Sequence, residues 1–158
     1  MTVREAQLVD LDSIQELNRQ IFAWEAQYVP SSNLSFPFTD EALVYFRRAI
    51  ERLEDHAAFV YEDETRQVVG YVITRMIPDS EMTHRNDVRL AQIHTMCVAE
   101  GHRGKGIGKQ LIDISIEWAR EEGATSVKVV AYAGNELARS AYRSAGFQEF
   151  EIVHELEL

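Results

Sequence analysis

Residues 101–108 form a glycine-rich stretch, GHRGKGIG, that runs directly into an apolar helical pattern. Glycines at a strand-to-helix junction let a ligand approach the main chain closely, and the free amides of the first helical turn favour an anion. Arg103, Lys105 and Lys109 add positive charge at this turn. The residues therefore predict a phosphate-binding turn, and the alternative is a solvated turn whose glycines serve tight packing.

Two common nucleotide-binding motifs do not fit this stretch. A P-loop needs Ser or Thr after its Gly-Lys pair, and neither Gly-Lys pair here is followed by one. A Rossmann turn needs a third glycine where Lys109 stands and an acidic residue ending the next strand, which instead ends in Ala131 and Tyr132. A nucleotide-phosphate binder stays open only as a further alternative.

The elements before the turn follow from periodicity and capping signals. Asp10 offers an N-cap to a helix with apolar residues from Leu11 to Trp24, and Thr39 can cap a second helix. A loop containing two of the three prolines separates these helices. The strands expected in this half are TVREAQ and the two halves of an antiparallel hairpin, AAFVYEDETRQVVGYVITRMI.

The second half of the chain alternates strands and helices. DVRLAQIHTMCVA predicts a strand, a helix follows from Ile107, and Gly123 can end that helix in a left-handed conformation. SVKVVAY predicts a strand, NELARSAYRSAG a helix and FQEFEIVHELEL a final strand. The order β-α-α-β-β-β-α-β-α-β predicts one α/β (α+β) domain over 1–158, with a mostly antiparallel sheet and one β-α-β crossover.

Composition narrows the partners. A chain of 158 residues with 46% hydrophobic content favours a single domain, and a formal net charge of −10 argues against nucleic-acid binding. The acidic charge favours a cationic partner, although solubility alone would explain it. The lone Cys97 indicates a reducing compartment. Because we find neither a signal-peptide pattern nor an apolar run long enough for a membrane span, we predict a cytoplasmic location.

Two sequence blocks resemble the GNAT superfamily of N-acyltransferases. The first, preceded by MCVAEGH, resembles the acyl-CoA motif and reads Arg103-x-x-Gly106-x-Gly108. The second resembles the other CoA-side helix of the superfamily and reads Asn135-x-x-Ala138-x-x-x-Tyr142-x-x-x-Gly146-Phe147. The element order matches as well, so the resemblance covers essentially the whole chain. It implies a GNAT-like fold, a mixed and mostly antiparallel sheet that is splayed between two central strands and flanked by helices.

The resemblance also implies acetyl-CoA as cosubstrate. Main-chain amides would cradle its pyrophosphate, those of Arg103, Gly104, Lys105, Gly106, Ile107, Gly108 and Lys109. Met96 and Val98 would hydrogen-bond the pantetheine arm as an added strand does. The thioester would enter the gap between this strand and SVKVV.

Amine acylation needs a neutral amine, a polarised carbonyl and a proton for the leaving thiolate. An alkyl amine with a pKa near 10.4 is neutral in only about 1 part in 10³ at pH 7, a deficit of roughly 4–5 kcal/mol. We take Tyr142 as the general acid, with an ordinary core tyrosine as the alternative. Asn135 contacts the pantetheine side by resemblance, while its position also makes it an N-cap.

His94 is the base candidate. Strand alternation puts it with Gln92 and Met96 on one face, and Ile93, Thr95 and Cys97 on the other. A β-bulge, which the superfamily commonly has in this strand, would shift that phase. The alternative is a structural histidine.

The sequence disfavours both an acyl-cysteine intermediate and a metal site. Cys97 falls opposite His94 in the alternation and free cysteine is usually buried, so direct transfer in a ternary complex is expected over an acyl-cysteine. The five histidines show no paired metal-ligand spacing, and we expect no metal.

Acceptor specificity is expected from two loops, residues 25–40 and 78–87. Glu25 and the aromatic residues Tyr28, Phe36 and Phe38 belong to the first loop, where they could form a pocket wall or pack on one another. The predicted function is N-acetyl transfer to a primary amine, either a protein N-terminus or a small molecule. A non-catalytic acyl-CoA sensor is the alternative. Many proteins resembling this domain dimerise, so a homodimer is compatible with the sequence.

Overall fold

The computed structural model describes residues 2–53, 55–78 and 88–156. The strands in these ranges are β1 (Thr2–Glu5), β2 (His56–Glu62), β3 (Val68–Met76), β4 (Leu90–Val98) and β5 (Ser126–Val129). The α-helices are α1 (Leu11–Glu25), α2 (Asp40–Ile50), α3 (Ile107–Glu121) and α4 (Glu136–Ser144). Short 3₁₀ turns cover Leu8–Asp10, Phe36–Phe38 and Glu100–His102.

The strands form one sheet in the order β1-β2-β3-β4-β5. Neighbouring strands are antiparallel except for β4 and β5, which are parallel and joined by the crossover through α3. β5 pairs only with Leu90–Ile93 of β4 and ends at Val129, whereas β4 continues to Val98. The two strands are therefore splayed at the carboxyl end of β4, as the resemblance implied.

Helices cover both faces of the sheet. On one face α3 packs Leu111, Ile112 and Trp118 against Ile93 and its neighbours. On the other face α1 and α2 pack residues such as Ile14 and Phe46 against the inward side chains of β2 and β3. The amphipathic pattern of each helix accounts for this three-layer arrangement, because each apolar stripe must be buried against the sheet.

Local signals fix some of the helix ends. Thr39 caps α2 by accepting a 3.2 Å hydrogen bond from the amide of Ala42. Gly123 follows α3 with a φ of 79°, as expected for a left-handed helix end. Asp10 precedes α1 but does not cap it, because its carboxylate accepts hydrogen bonds from the Arg4 guanidinium at 2.7 and 2.8 Å.

The prediction of a final strand is wrong for the part of the C-terminal segment that the structure describes, residues 147–156. This segment has no regular secondary structure, and its large apolar side chains, Phe150, Ile152, Val153 and Leu156, are exposed. Its alternating pattern suits a strand, but β5 ends at Val129, and Glu149 bonds to Arg139 of α4. That contact ties the start of the segment to α4, and the described part of the segment pairs with no strand of the sheet.

Candidate functional site

The glycine-rich turn presents a row of unused main-chain donors. Within the described residues, the amides from Gly104 to Lys109 donate to no main-chain carbonyl, and the first that does is Gln110, to Gly106. Gly104 and Gly106 have φ angles of 76° and 78°, which other residues adopt only with strain. No atom lies within 4 Å of a Cβ built on either glycine. The turn is thus an open cradle at the positive end of α3, suited to a pyrophosphate.

Arg103 differs from this expectation in two respects. Its amide donates to the carbonyl of Glu100 at 3.3 Å, so it is not free for a ligand. Its side chain turns back toward β4, where Nε donates to the Val98 carbonyl at 3.1 Å and the guanidinium carbon lies 4.8 Å from the centre of the Trp24 ring. The cationic side chains left at the turn are Lys105, which is exposed, and Lys109, which pairs with Asp113 at 2.5 Å.

The end of β4 exposes a strand edge beside this turn. The amide of Ala99 donates to Val69 of the β3 side at 2.9 Å, and alternate residues of a strand point their polar groups the same way. The main-chain N–H and C=O groups of Met96 and Val98 therefore point to the opposite side of β4, where β5 has already ended. The Val98 carbonyl already accepts a hydrogen bond from Arg103. The Val98 amide and both main-chain groups of Met96 are therefore the ones available to an extended ligand.

A β-bulge interrupts β4 at His94. The pairing with β3 passes from Ile73↔Thr95 to Thr74↔Ile93, so His94 is the extra residue. The bulge interrupts the alternation of side chains along the strand. Ile93 and Met96 are three residues apart and would lie on opposite faces of a regular strand, but both pack on the α3 side of the sheet.

The predicted alternation is therefore wrong after position 94. Thr95 and Cys97 lie on the α1–α2 side, as His94 does, and Cys97 is not opposite His94. A β-bulge in this strand, which the resemblance had left open, thus moves the residues after His94 to the opposite faces from those predicted.

His94 contacts Tyr45 of α2. Its Nδ1 lies 2.5 Å from the Tyr45 hydroxyl, and the two rings are 5.2 Å apart. Although the residue is open to a pocket, its neighbours remove enough water that the pKa of His94 is lowered, with smaller contributions from the charges of Arg75 and His56. Burial also raises the pKa of Tyr45. Both side chains are therefore neutral near pH 7.

A pocket of about 400 Å³ opens where β4 and β5 separate. Its walls include His94 and Met96 of β4, Val130 just after β5, and side chains of three helices. The helical side chains that reach it include Glu25 of α1, Tyr45 of α2 and Tyr142 of α4. The predicted acid and the predicted base thus line one cavity, next to the free edge of β4.

Tyr142 of α4 lies against Phe147 in an edge-on contact, with ring centres 5.9 Å apart. Within the described residues its hydroxyl has no hydrogen-bond partner. Burial, and next the negative charge of Glu25, raise its pKa to about 12. The phenol therefore keeps its proton across the physiological range, as a general acid requires.

Asn135 caps α4. Its Oδ1 accepts a 3.2 Å hydrogen bond from the amide of Ala138, and the residue is 9% exposed. The structural role predicted from the sequence is thus present. The side-chain amide nitrogen makes no bond within the described part of the chain, so capping leaves it able to donate to a ligand.

Cys97 is buried, and burial raises the pKa of its thiol to about 12. A thiol with that pKa is almost entirely protonated near pH 7 and is a poor nucleophile. This agrees with direct transfer rather than an acyl-cysteine. Burial disfavours Cys97 as a nucleophile, whereas its position does not, because Cys97 lies on the same side of the sheet as His94.

Two features of the pocket were missed by sequence reasoning. One is Tyr45, whose partner His94 is 49 residues away. The other is Asn18, 5% exposed, which donates to the hydroxyl of Tyr71 at 2.6 Å and whose Oδ1 has no partner among the described residues. Asn18 had a usable signal, because it is a polar residue on the apolar stripe of α1. Tyr45 had none.

The residues that the structure describes contain no group of three or more His, Cys, Asp or Glu side chains that could hold a metal ion. None of their helices combines the length and the apolar character needed to cross a membrane. For the acceptor loops, Phe36 reaches the pocket and Tyr28 stacks on Tyr132 at 5.9 Å, whereas residues 79–87 of the second loop lie outside the described residues.

Comparison with known proteins now decides the family. Residues 16–147 match the family described as Acetyltransferase (GNAT) family, which is most of the chain. The chain belongs to the GNAT acetyltransferase family. An uncharacterised N-acetyltransferase of Methanocaldococcus jannaschii is 29% identical to this GNAT chain over 152 residues, covering 96% of the chain and 62% of that protein. A rat N-acetyltransferase family 8 member 2 is 31% identical over 97 residues, 61% of the chain and 41% of its own length.

Solved structures share the fold of this GNAT domain. A tetramutant protein from Bacillus halodurans superposes with a TM-score of 0.87 at 22% identity, covering all of both chains. The aminoglycoside N-acetyltransferase AAC(6')-Iy, in complex with the bisubstrate analogue CoA-S-monomethyl-acetylneamine, superposes with a TM-score of 0.75 at 16% identity. It covers 99% of this chain and 97% of that one. The GNAT-like α/β fold is thereby confirmed. The chain spans less than two thirds of the length of the curated relatives named above.

Proposed function

We propose that this protein transfers the acetyl group of acetyl-CoA directly to a primary amine in a ternary complex. The single observation that carries the proposal is the pocket at the β4–β5 separation, which joins Tyr142, His94 and the free edge of β4 in one cavity. Membership of the GNAT family and the structural likeness to an acetyltransferase that binds a CoA analogue support it.

The CoA-binding residues follow from groups that lack partners. The amides of Gly104, Lys105, Gly106, Ile107, Gly108 and Lys109 are proposed to bind the pyrophosphate, with the side chains of Lys105 and Lys109 adding positive charge. Met96 and the amide of Val98 are proposed to bind the pantetheine arm. The Asn135 side-chain amide is a further donor on that side. Arg103 acts here through its side chain, which holds the end of β4.

Acetyl-CoA supplies the thioester carbonyl that the amine nitrogen attacks. A C–N bond forms as the C–S bond breaks, and Tyr142 gives its phenolic proton to the departing sulfur. The nitrogen loses one proton to His94 or to water, and the Tyr142 phenolate regains a proton from solvent, so that the products are the amide and the CoA thiol. Tyr142 is suited to this task because its pKa of about 12 keeps it protonated until the thiolate forms.

His94 is the proposed base, and its tautomer decides whether it can act. If Nδ1–H donates to the Tyr45 oxygen, Nε2 has a free lone pair and can take a proton from the amine directly or through water. If the Tyr45 hydroxyl donates to Nδ1, Nε2 carries the hydrogen and His94 cannot accept. The role of His94 therefore depends on Tyr45.

The test is release of CoA thiol from acetyl-CoA with purified protein and a panel of primary amines that differ in size and pKa. The proposal expects release with at least one amine and a loss of at least about tenfold in kcat for Tyr142→Phe. Tight CoA binding without release across the panel would instead identify an acyl-CoA sensor. The cytoplasmic location, the homodimer and the single domain over 1–158 stay predictions.

A further inference from the structure

One face of α1 supplies a wall of the pocket. Asn18, Ile21, Phe22 and Glu25 lie at helical spacing and all reach the cavity. The wall is polar at its two ends and apolar between them. Phe36, from the loop after α1, adds to the apolar part and stacks at a tilt on Phe22 with ring centres 5.7 Å apart.

Glu25 carries a negative charge that the protein does not balance. The carboxylate has no ion pair and no hydrogen bond among the described residues. It is the last residue of α1, where the helix dipole disfavours an anion, and the last turn contains no basic residue. Arg103 is nearby, but its guanidinium stacks on Trp24 and bonds to Val98 instead.

The carboxylate is also partly removed from water, and its desolvation raises the pKa of Glu25. Its charge in turn raises the pKa of the Tyr142 phenol and of the Cys97 thiol, so it is felt at the reacting end of the pocket. A half-buried, unpaired anion is unfavourable on its own. A bound cation would remove that cost.

The same wall holds a second group that lacks a partner. The Oδ1 of Asn18 is buried and accepts no hydrogen bond within the described ranges, and the residue is 95% removed from solvent. An N–H donor in the cavity would satisfy it after a small side-chain adjustment. Both polar ends of the wall therefore favour a ligand with N–H groups.

The cation at Glu25 is better placed on a group other than the reacting amine. A carboxylate beside the reacting nitrogen would stabilise its ammonium form, raise its pKa and oppose the attack. A carboxylate beside a second ammonium would increase affinity without that penalty. The apolar side chains of Ile21, Phe22 and Phe36 suit a methylene spacer between the two nitrogens.

We propose that the acceptor is an aliphatic diamine, whose distal ammonium binds Glu25 while its other amine is acetylated. This inference rests on the proposed transferase function and specifies its substrate. Glu41 of α2 also lines the cavity and adds to its negative charge. The formal net charge of −10 would further raise the local concentration of a dication.

The test compares amines that differ only at the distal end. Putrescine is paired with pentylamine, and cadaverine with hexylamine, so that a methyl group replaces the second ammonium. The proposal expects kcat/KM at least about tenfold higher for each diamine than for its monoamine, with the difference mainly in KM. Glu25→Gln, which keeps the shape of the side chain, should remove most of that preference, and Glu25→Asp should restore part of it.

Glu16→Gln is the matched control, because Glu16 lies on the exposed side of α1 and pairs with Arg19. It should keep the wild-type preference. Equal kcat/KM for diamines and monoamines in the wild-type protein would overturn the diamine proposal, and so would a preference that survives Glu25→Gln. In both cases the transferase function stands. If no amine of either class releases thiol, the diamine proposal fails, and the transferase function fails with it only if the wider panel of primary amines releases none either. The wild-type comparison decides even if Glu25→Gln does not fold.

Discussion

Nδ1 of His94 on β4 lies 2.5 Å from the hydroxyl oxygen of Tyr45 on α2. This contact links the bulged residue of the sheet to a helix on the pocket wall. It also decides which imidazole nitrogen can accept a proton. For a base that acts through Nε2, the tyrosine oxygen must accept from Nδ1–H.

Tyr45→Phe should therefore lower kcat/KM for an alkyl amine by about tenfold, because the imidazole loses the partner that selects its tautomer. His94→Ala should lower it at least as far. A double variant no worse than His94→Ala would show that the two residues act as one unit. A histidine with only a structural role would instead lower the melting temperature in both variants and leave kcat/KM unchanged.

The acid side of the pH profile gives a second test of His94. Only neutral His94 can accept a proton, and its pKa is lowered by partial desolvation and by the charges of Arg75 and His56. When kcat/KM is referred to the concentration of neutral amine at each pH, it should therefore stay constant through the ordinary histidine range near pH 6.5 as the pH falls, and decline only below that range. The carboxylates Glu25 and Glu41 line the same cavity, so the profile is measured in Glu25→Gln as well. A decline centred at or above the ordinary range would contradict the assignment.

Tyr142→Phe should reduce kcat by at least about tenfold while leaving the Kd for CoA within about twofold, because the lost hydroxyl acts on the leaving sulfur. Single-turnover thiol release and calorimetric CoA binding measure the two effects. Since the pKa of Tyr142 is raised to about 12, its deprotonation should not reduce kcat at any pH up to about 10. Tyr132→Phe is the control, because its ring stacks on Tyr28 beside the site. Equal losses in both variants would argue against a special role for Tyr142.

Gly106→Ala should weaken CoA binding and destabilise the start of α3. The space around a Cβ is free, so the cost comes from the φ of 78° and is about 1–2 kcal/mol. Gly101→Ala is the matched control, because no atom lies within 4 Å of its Cβ and its φ is not positive. Thermal unfolding with and without CoA measures both effects. An equal change in melting temperature for Gly106→Ala and Gly101→Ala would contradict this prediction.

Cys97→Ala should keep kcat within about threefold, at a stability cost of about 1 kcal/mol for the lost buried sulfur. The native thiol, with a pKa raised to about 12, should also resist alkylation near pH 7. Turnover assays and mass spectrometry after iodoacetamide treatment test these points. Trapping an acetylated Cys97 with acetyl-CoA alone would establish the acyl-cysteine route that we disfavour.

Features set by neighbouring residues were predictable from the sequence. The turn at Gly104 and Gly106 and the caps at Thr39 and Asn135 depend on residue types within a few positions. The helices and the first five strands follow from periodicity, and the two motif blocks were enough to indicate the family.

Features set by distant partners were not predictable. The contact between Tyr45 and His94 joins segments 49 residues apart. The C-terminal segment has a strand-like pattern, but pairing also needs a neighbour, and β5 ends before it could supply one. The use of the Arg103 side chain to hold Val98 likewise depends on where β4 ends relative to α3.

The bulge at His94 makes the length of β4 a functional constraint. Side chains alternate with a period of two, so removing or adding one residue in this strand would reverse the faces of everything beyond it. Met96 would move to the α1–α2 layer and Cys97 to the α3 layer, and the donors of Met96 would turn toward β3. Point substitutions in β4 change one side chain each. A single-codon insertion or deletion would rearrange the whole edge, so sequences that preserve this site should vary in composition there far more readily than in length.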